Sequence, residues 1–179
     1  TGTQNSSFGR GALESNTTAS NNTAFGYYAL ASNTTGTQNI AVGALALDGN
    51  TGGDDNIAIG YNSNSATSTA SDNNVIGSNS GRVISSGERN NAHGKDTFYY
   101  LTTGTRNNAF GHSALQNTTT GSYNSAFGNE AGKTLTTGND NTAFGAFSLG
   151  ATTTGSRNVG VGVSVLVANT TGNDSTALG

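Results

Sequence analysis

A 17-residue period that never slips constrains this chain more than any other feature. The motif Asn-x-Ala-(aromatic or aliphatic)-Gly starts at Asn5, Asn22, Asn39, Asn56, Asn73, Asn90, Asn107, Asn124, Asn141 and Asn158, and an eleventh copy starts at Ser175. No insertion or deletion breaks the series. A globular enzyme tolerates changes of loop length and has no reason to hold such a register. A stacked solenoid does, because each residue sits above its equivalent in the previous coil. The period therefore predicts an all-β chain, a parallel β-solenoid (β-roll) of 17-residue coils. At 17 residues per coil, 179 residues give about ten and a half repeats, read as a single repeat domain over 1–179. A chain that opens and closes in mid-repeat reads as a segment of a longer fibre.

Composition alone would suggest disorder. Pro, Cys, Met and Trp are absent, 9% of residues are charged, and hydrophobicity is low. The period argues the other way, since a disordered chain has no need to keep one column glycine through eleven copies. Without cysteine there are no disulfide staples or thiolate metal sites. A net charge of -3 with no basic stripe gives nucleic-acid binding little support. No apolar run approaches the roughly 18 residues of a membrane span.

With the anchor Asn as column 1, column 5 is Gly in every copy, including the structural corners Gly26, Gly43, Gly60, Gly111, Gly128 and Gly145. That demand predicts a positive φ or a close backbone approach. Column 15 is also mostly Gly, with Ala19 and Ala70 as exceptions that weaken a strict positive-φ reading there. Two corners joined by short extended segments make one coil. Helix is not expected, because Gly is frequent and no run keeps a 3.6-residue period. The anchor asparagines, among them Asn22, Asn39, Asn56, Asn107, Asn124 and Asn141, are expected to stack as an amide ladder at ~4.8 Å spacing.

Column 4 is the bulky one and is read as core: Phe25, Val42, Ile59, Phe110, Phe127 and Phe144. Column 3 is mostly Ala. Columns 8 and 9 repeat the small-then-large pair, as in Ala29-Leu30 and Ala46-Leu47. Neighbours on a strand point to opposite faces, so adjacent apolar columns imply that both faces are covered. A lone solenoid buries only its inner face. Several chains packed about a common axis would bury both. Columns 9 and 12 compensate: where column 9 shrinks to Gly81 or Gly132, column 12 becomes Ile84 or Leu135, as one shared cavity filled from either side would require. Coil four, with Asn64 and Thr67, has no such rescue and is the expected weak point.

The string from Asn22 to Leu47, NTAFGYYALASNTTGTQNIAVGALAL, resembles two related groups of proteins. One is the repeat of phage tail-fibre-like proteins, often found upstream of a self-cleaving chaperone domain. The other is the head of trimeric autotransporter adhesins, whose repeats carry an Asn-x-x-Ala-Ile-Gly-like core and are shorter than those here. In the adhesin heads, three chains form parallel left-handed β-rolls about a threefold axis. The resemblance implies a homotrimer of that kind, extracellular, on a virion or cell surface.

Sites beyond the framework are few. Thr pairs in columns 13 and 14, such as Thr34-Thr35 and Thr119-Thr120, raise ice binding. A flat ice-binding face pairs threonines two residues apart, about 7 Å, whereas adjacent threonines point oppositely, so only one column can face out, and β-propensity with a turn lead-in is the simpler reading. Asp54 with Asp55 offers a weak calcium site, against the simpler reading of a solvated turn. Arg in column 17 excludes a regular ion ladder. Coil six is chemically the least regular. His93 stands in the bulky column, Lys95 and Asp96 follow, and Tyr99 and Tyr100 are adjacent. Two successive tyrosines place at least one ring outward or against a neighbour, so Tyr99, Tyr100 and Lys95 are the candidate contact for a glycan or protein receptor. The alternative is lateral packing of the tyrosines between chains, with His93 a satisfied core group. His93 and His112 lie in different columns, carboxylates are scattered through turns, and no phosphate loop is recognisable, so no catalysis, cofactor or metal is expected. Three function classes remain: a structural fibre segment or spacer, a surface-binding module, and a subunit of an end-to-end filament. The expected partners are further copies of the chain, with a receptor as a further candidate, and neither nucleic acid nor a membrane interior.

Overall fold

The computed structural model describes residues 2–179 as a stack of parallel coils, with one short strand per coil. The strands are β1 (Ser6–Phe8), β2 (Thr23–Phe25), β3 (Ile40–Val42), β4 (Ile57–Ile59), β5 (Asn74–Ile76), β6 (Asn91–His93), β7 (Asn108–Phe110), β8 (Ser125–Phe127), β9 (Thr142–Phe144), β10 (Val159–Val161) and β11 (Thr176–Leu178). They form a single parallel sheet in sequence order. Each column pairs with itself, as Phe110 with Phe127 and Ala109 with Ala126. This is the predicted solenoid with its 17-residue register, and no helix occurs among the described residues.

The anchor asparagines carry the stack. Asn124 Oδ1 accepts both the backbone N–H and Nδ2 of Asn141, at 3.0 Å each. Asn124 Nδ2 also donates to the Gly138 carbonyl of its own coil at 2.9 Å. The same set recurs at Asn39, Asn56 and Asn107, all fully buried. One side chain thus ties the coil into a closed loop and binds it to its neighbours. A second amide row in column 12 does similar work near one end: Asn50 Nδ2 donates to Asn33 Oδ1 at 3.0 Å.

The rest of the coil is turn rather than a second extended segment, which corrects the expectation of two extended arms. Columns 7, 9 and 17 adopt positive φ with ordinary side chains, as at Tyr28 (φ 51), Leu30 (φ 54) and Gln38 (φ 60). These left-handed residues turn the chain while keeping coil-to-coil bonds, such as Leu30 N–H to Ala46 O at 2.9 Å. Column 5 is different. Its φ runs from 126 at Gly145 to 143 at Gly26, outside the left-handed well open to other residues. A Cβ on Gly128 would also sit 2.6 Å from the Gly145 carbonyl carbon. Column 15 shows no positive φ, so its glycines answer to crowding alone, from the next coil and from the column 12 side chain of their own coil.

The core is one side chain deep. Ala of column 3 and Leu of column 9 meet inside, with Ala24, Leu30, Ala41 and Leu47 fully buried. Ala29 and Ala46 of column 8 are buried too. Adjacent columns 8 and 9 both point inward, against the expected opposite faces, because the left-handed φ at column 9 breaks strand alternation. Compensation between columns 9 and 12 holds at coil five, where Ile84 Cδ1 lies 2.9 Å from where a Cβ on Gly81 would be. At Gly132 the nearest atom is Cδ2 of Leu115, one coil back, so the space is shared between coils as well as within one.

Coil four divides the core. Ala24 to Ala58 form one apolar cluster, and Ala70 to Leu149 form the other. Between them lie Ser63, Asn64 and Thr67, all buried. Thr67 Oγ1 donates to Asn64 Oδ1 at 2.5 Å, but Asn64 Nδ2 has no partner.

Gly128→Ala, which adds a forbidden φ to a backbone clash, costs more than about 3 kcal/mol in urea unfolding. Gly121→Ala costs clearly less, because Ala19 and Ala70 already occupy that column. Replacing the polar plug, Asn64→Leu with Thr67→Val, raises unfolding stability by about 2 kcal/mol, from a newly buried leucine and a removed orphan amide.

Candidate functional site

The outer face of the sheet is the surface that the core leaves unused. Along each strand the middle residue points in and its neighbours point out. Column 4, read from the sequence as core, is therefore the outward column. Phe25 is 54% exposed, Ile59 38% and Phe144 56%, while Val42, Phe110 and Phe127 are half-buried. The correction has a plain cause. The interior already holds the column 9 and column 12 side chains, which leaves room for only a small residue from the strand, and column 3 supplies alanine.

The column 4 side chains stack on one another along the axis. Ring centroids are 4.9 Å apart for Phe8 and Phe25, 4.7 Å for His93 and Phe110, 5.0 Å for Phe110 and Phe127, and 5.6 Å for Phe127 and Phe144. Val42, Ile59 and Ile76 continue the row between them. The result is a ladder with a rung on every strand, apolar on all but β6, where His93 stands. His93 belongs to this ladder, half-buried and stacked, so it is not an interior polar group.

Column 2 lies beside it. It is aliphatic at Ile40 and Ile57 and becomes amide at Asn74, Asn91 and Asn108. Asn91 Nδ2 donates to Asn108 Oδ1 at 2.9 Å, Asn74 Nδ2 lies 3.5 Å from His93 Nε2, and Asn74 Oδ1 is buried without a partner.

The coil-six candidates are only partly brought together. The Tyr99 and Tyr100 rings meet edge to face at 4.7 Å. Arg82, one coil earlier, donates to Tyr99 Oη at 2.6 Å and lies 5.3 Å from its ring centre. Tyr100 is 50% exposed. Lys95 keeps company with Asp96 at 3.9 Å, on the corner that also carries His112, rather than with the tyrosines. The Arg-over-Tyr arrangement recurs at Arg106 and Tyr123 and at Arg10 and Tyr27, each pair one coil apart.

The other surface columns hold their side chains in axial bonds. Thr34 Oγ1 donates to Thr51 O at 2.9 Å, and Thr102 Oγ1 to Thr119 O at 3.0 Å, so the column 13 hydroxyls donate to the next coil rather than outward. Column 14 threonines remain exposed. Asp54 Oδ1 accepts from the Thr37 backbone N–H at 2.6 Å and from Thr37 Oγ1 at 2.9 Å, which spends it on the coil before. Among the described residues no group of three or more His, Asp or Glu gathers as a metal cluster would need, and no pocket opens. Among the described residues no helix is long and apolar enough to cross a membrane. In column 17 Arg157 clamps Asp174 through Nε to Oδ1 at 2.6 Å and Nη2 to Oδ2 at 2.9 Å. That hydrogen-bonded pairing holds the Asp174 carboxyl below its ordinary range and raises Arg157.

Among these columns the outer ladder stands apart: it runs the length of the sheet, it is apolar at every rung but His93, and its side chains stay partly or largely exposed. A scan against protein-family models, a search of curated proteins and a search of solved structures return no match to this chain.

Asp48 provides a pH test of the turns. Burial pushes its carboxyl above the ordinary 3.8, and its Oδ1 has no partner. A raised folded-state value means that the ionised form is penalised in the fold. The penalty is absent below about 3.8, grows as pH rises through the raised value, and is complete above it. Asp48→Asn therefore raises the thermal midpoint at pH 7 and leaves it unchanged at pH 3.

Proposed function

We propose that this chain is a stiff, self-associating structural element: a fibre segment or spacer on a virion or cell surface, in which copies pack side by side through the column 4 ladder. The observation that carries the reading is the ladder itself, outward on every strand and apolar on all but β6, beside an interior that is already filled. Monomeric proteins rarely leave an apolar strip of that extent in water. Burying it supplies the second covered face that the paired apolar columns of the sequence call for. Parallel homotrimerisation about a threefold axis is the assembly implied by the resemblance to adhesin heads and tail-fibre repeats, and an extracellular place goes with it. In this reading the chain performs no reaction and needs no cofactor; its work is length and stiffness.

Adhesive contact with a glycan or protein receptor is the second reading. The half-exposed Tyr100 ring, braced by Tyr99 and Arg82, favours it. End-to-end growth into a filament is a third mode, compatible with side-by-side packing.

Sedimentation across a dilution series tests the proposal. The expected result is one stable mass of three chains. Phe110→Ser with Phe127→Ser, which removes two outward rungs and leaves the interior intact, shifts the mass to the monomer without loss of the circular dichroism spectrum. A monomeric parent protein overturns side-by-side packing. Mass that climbs with concentration assigns growth to the coil ends.

A further inference from the structure

The outer face is not uniform along the axis, and the change falls in one place. Coils three and four present Ile40 with Val42 and Ile57 with Ile59. Coils seven to nine present Phe110, Phe127 and Phe144. Between them, coil six presents Asn91 with His93, the rung with no apolar side chain among these, and Asn74 and Asn108 flank it. These four side chains form an axial polar strip: Asn91 Nδ2 to Asn108 Oδ1 at 2.9 Å, and Asn74 Nδ2 to His93 Nε2 at 3.5 Å.

A periodic apolar face has a defect as an interface. Sliding one copy past another by a single coil again sets apolar rungs against apolar rungs, so neighbouring registers differ little in energy. A single polar layer removes that degeneracy. In register, amide and imidazole face their own kind and can hydrogen-bond across the interface. One coil out of register, His93 faces Ile76 or Phe110 and Asn74 faces Ile57, and these buried polar groups lose their partners. One polar layer in an apolar seam sets alignment in coiled coils by the same logic.

We infer that Asn91 and His93, flanked by Asn74 and Asn108, form a register key that aligns parallel copies of this chain at the same axial height. The inference rests on the side-by-side packing proposed above. The partner is a second copy of this chain because the face repeats once per coil, with ring centroids 4.7 to 5.6 Å apart. A partner engaging rung after rung must carry the same axial repeat, together with a polar rung at the same place. This surface meets both conditions against itself.

The chain has no cysteine, so introduced thiols report position without background. Single variants Ser125→Cys and Thr142→Cys occupy column 2 of adjacent coils, outside the polar strip. Each is assembled alone and as a mixture of the two, and treated with a short bifunctional maleimide. The unmodified key gives same-position links in at least fivefold excess over 125-to-142 links. In an Asn91→Ile, His93→Ile background, which copies the natural Ile57 and Ile59 rung, that excess falls to near unity while sedimentation still shows association. Adding Ile57→Asn and Ile59→His to that background relocates the key and restores the excess. Association with the same excess in all backgrounds overturns the key and leaves side-by-side packing standing. A monomeric parent protein with no interchain link overturns the packing, and the key with it.

Discussion

The buried asparagine column is the constraint on which the rest of the structure depends. Asn124 Oδ1 satisfies two donors from the next coil, and its Nδ2 closes its own coil on the Gly138 carbonyl. An amide inside an apolar stack is costly unless its donors and acceptor are met, and these partners exist only when adjacent coils are of equal length. A one-residue insertion would move an Asn off its neighbour and leave a buried backbone N–H unpaired in the next coil. The unbroken 17-residue period is the trace of that requirement in the sequence.

Around this column the coil divides its tasks. A three-residue strand supplies the sheet, glycine at column 5 makes a turn that no other residue can make, and left-handed residues at columns 7, 9 and 17 bend the rest. Turning inward at column 9 lets leucine fill the centre, so the strand needs only alanine inside. The large residue of the strand is thereby turned out. The outward ladder is thus a consequence of how the interior is filled rather than of surface composition.

Much of this is legible in the residues alone. The Asn ladder, the column 5 corner and the division at Asn64 and Thr67 follow from which side chains recur and where they fail to. The inward or outward sense of column 4 does not follow, because two adjacent apolar columns on a strand are related by symmetry and bulk suggests the wrong one. The paired columns 8 and 9 mislead for a different reason: strand alternation does not apply to a left-handed residue. A signal was present. Columns 7, 9 and 17 contain no Val, Ile or Thr in a chain rich in Thr, and β-branched side chains are the ones a left-handed φ tolerates least. The coil-six candidates were less legible, since separating Lys95 from Tyr99 and Tyr100 requires knowing how sharply the chain turns between columns 6 and 10.

The polar plug of coil four carries a mechanical meaning. In a solenoid each coil touches only its neighbours, so a pull along the axis loads every junction in series. The rupture force is then that of the weakest junction, however strong the others are. With its apolar core interrupted at Ser63, Asn64 and Thr67, the rod has its fuse there, and under tension it parts at that level first, leaving one intact stack on either side.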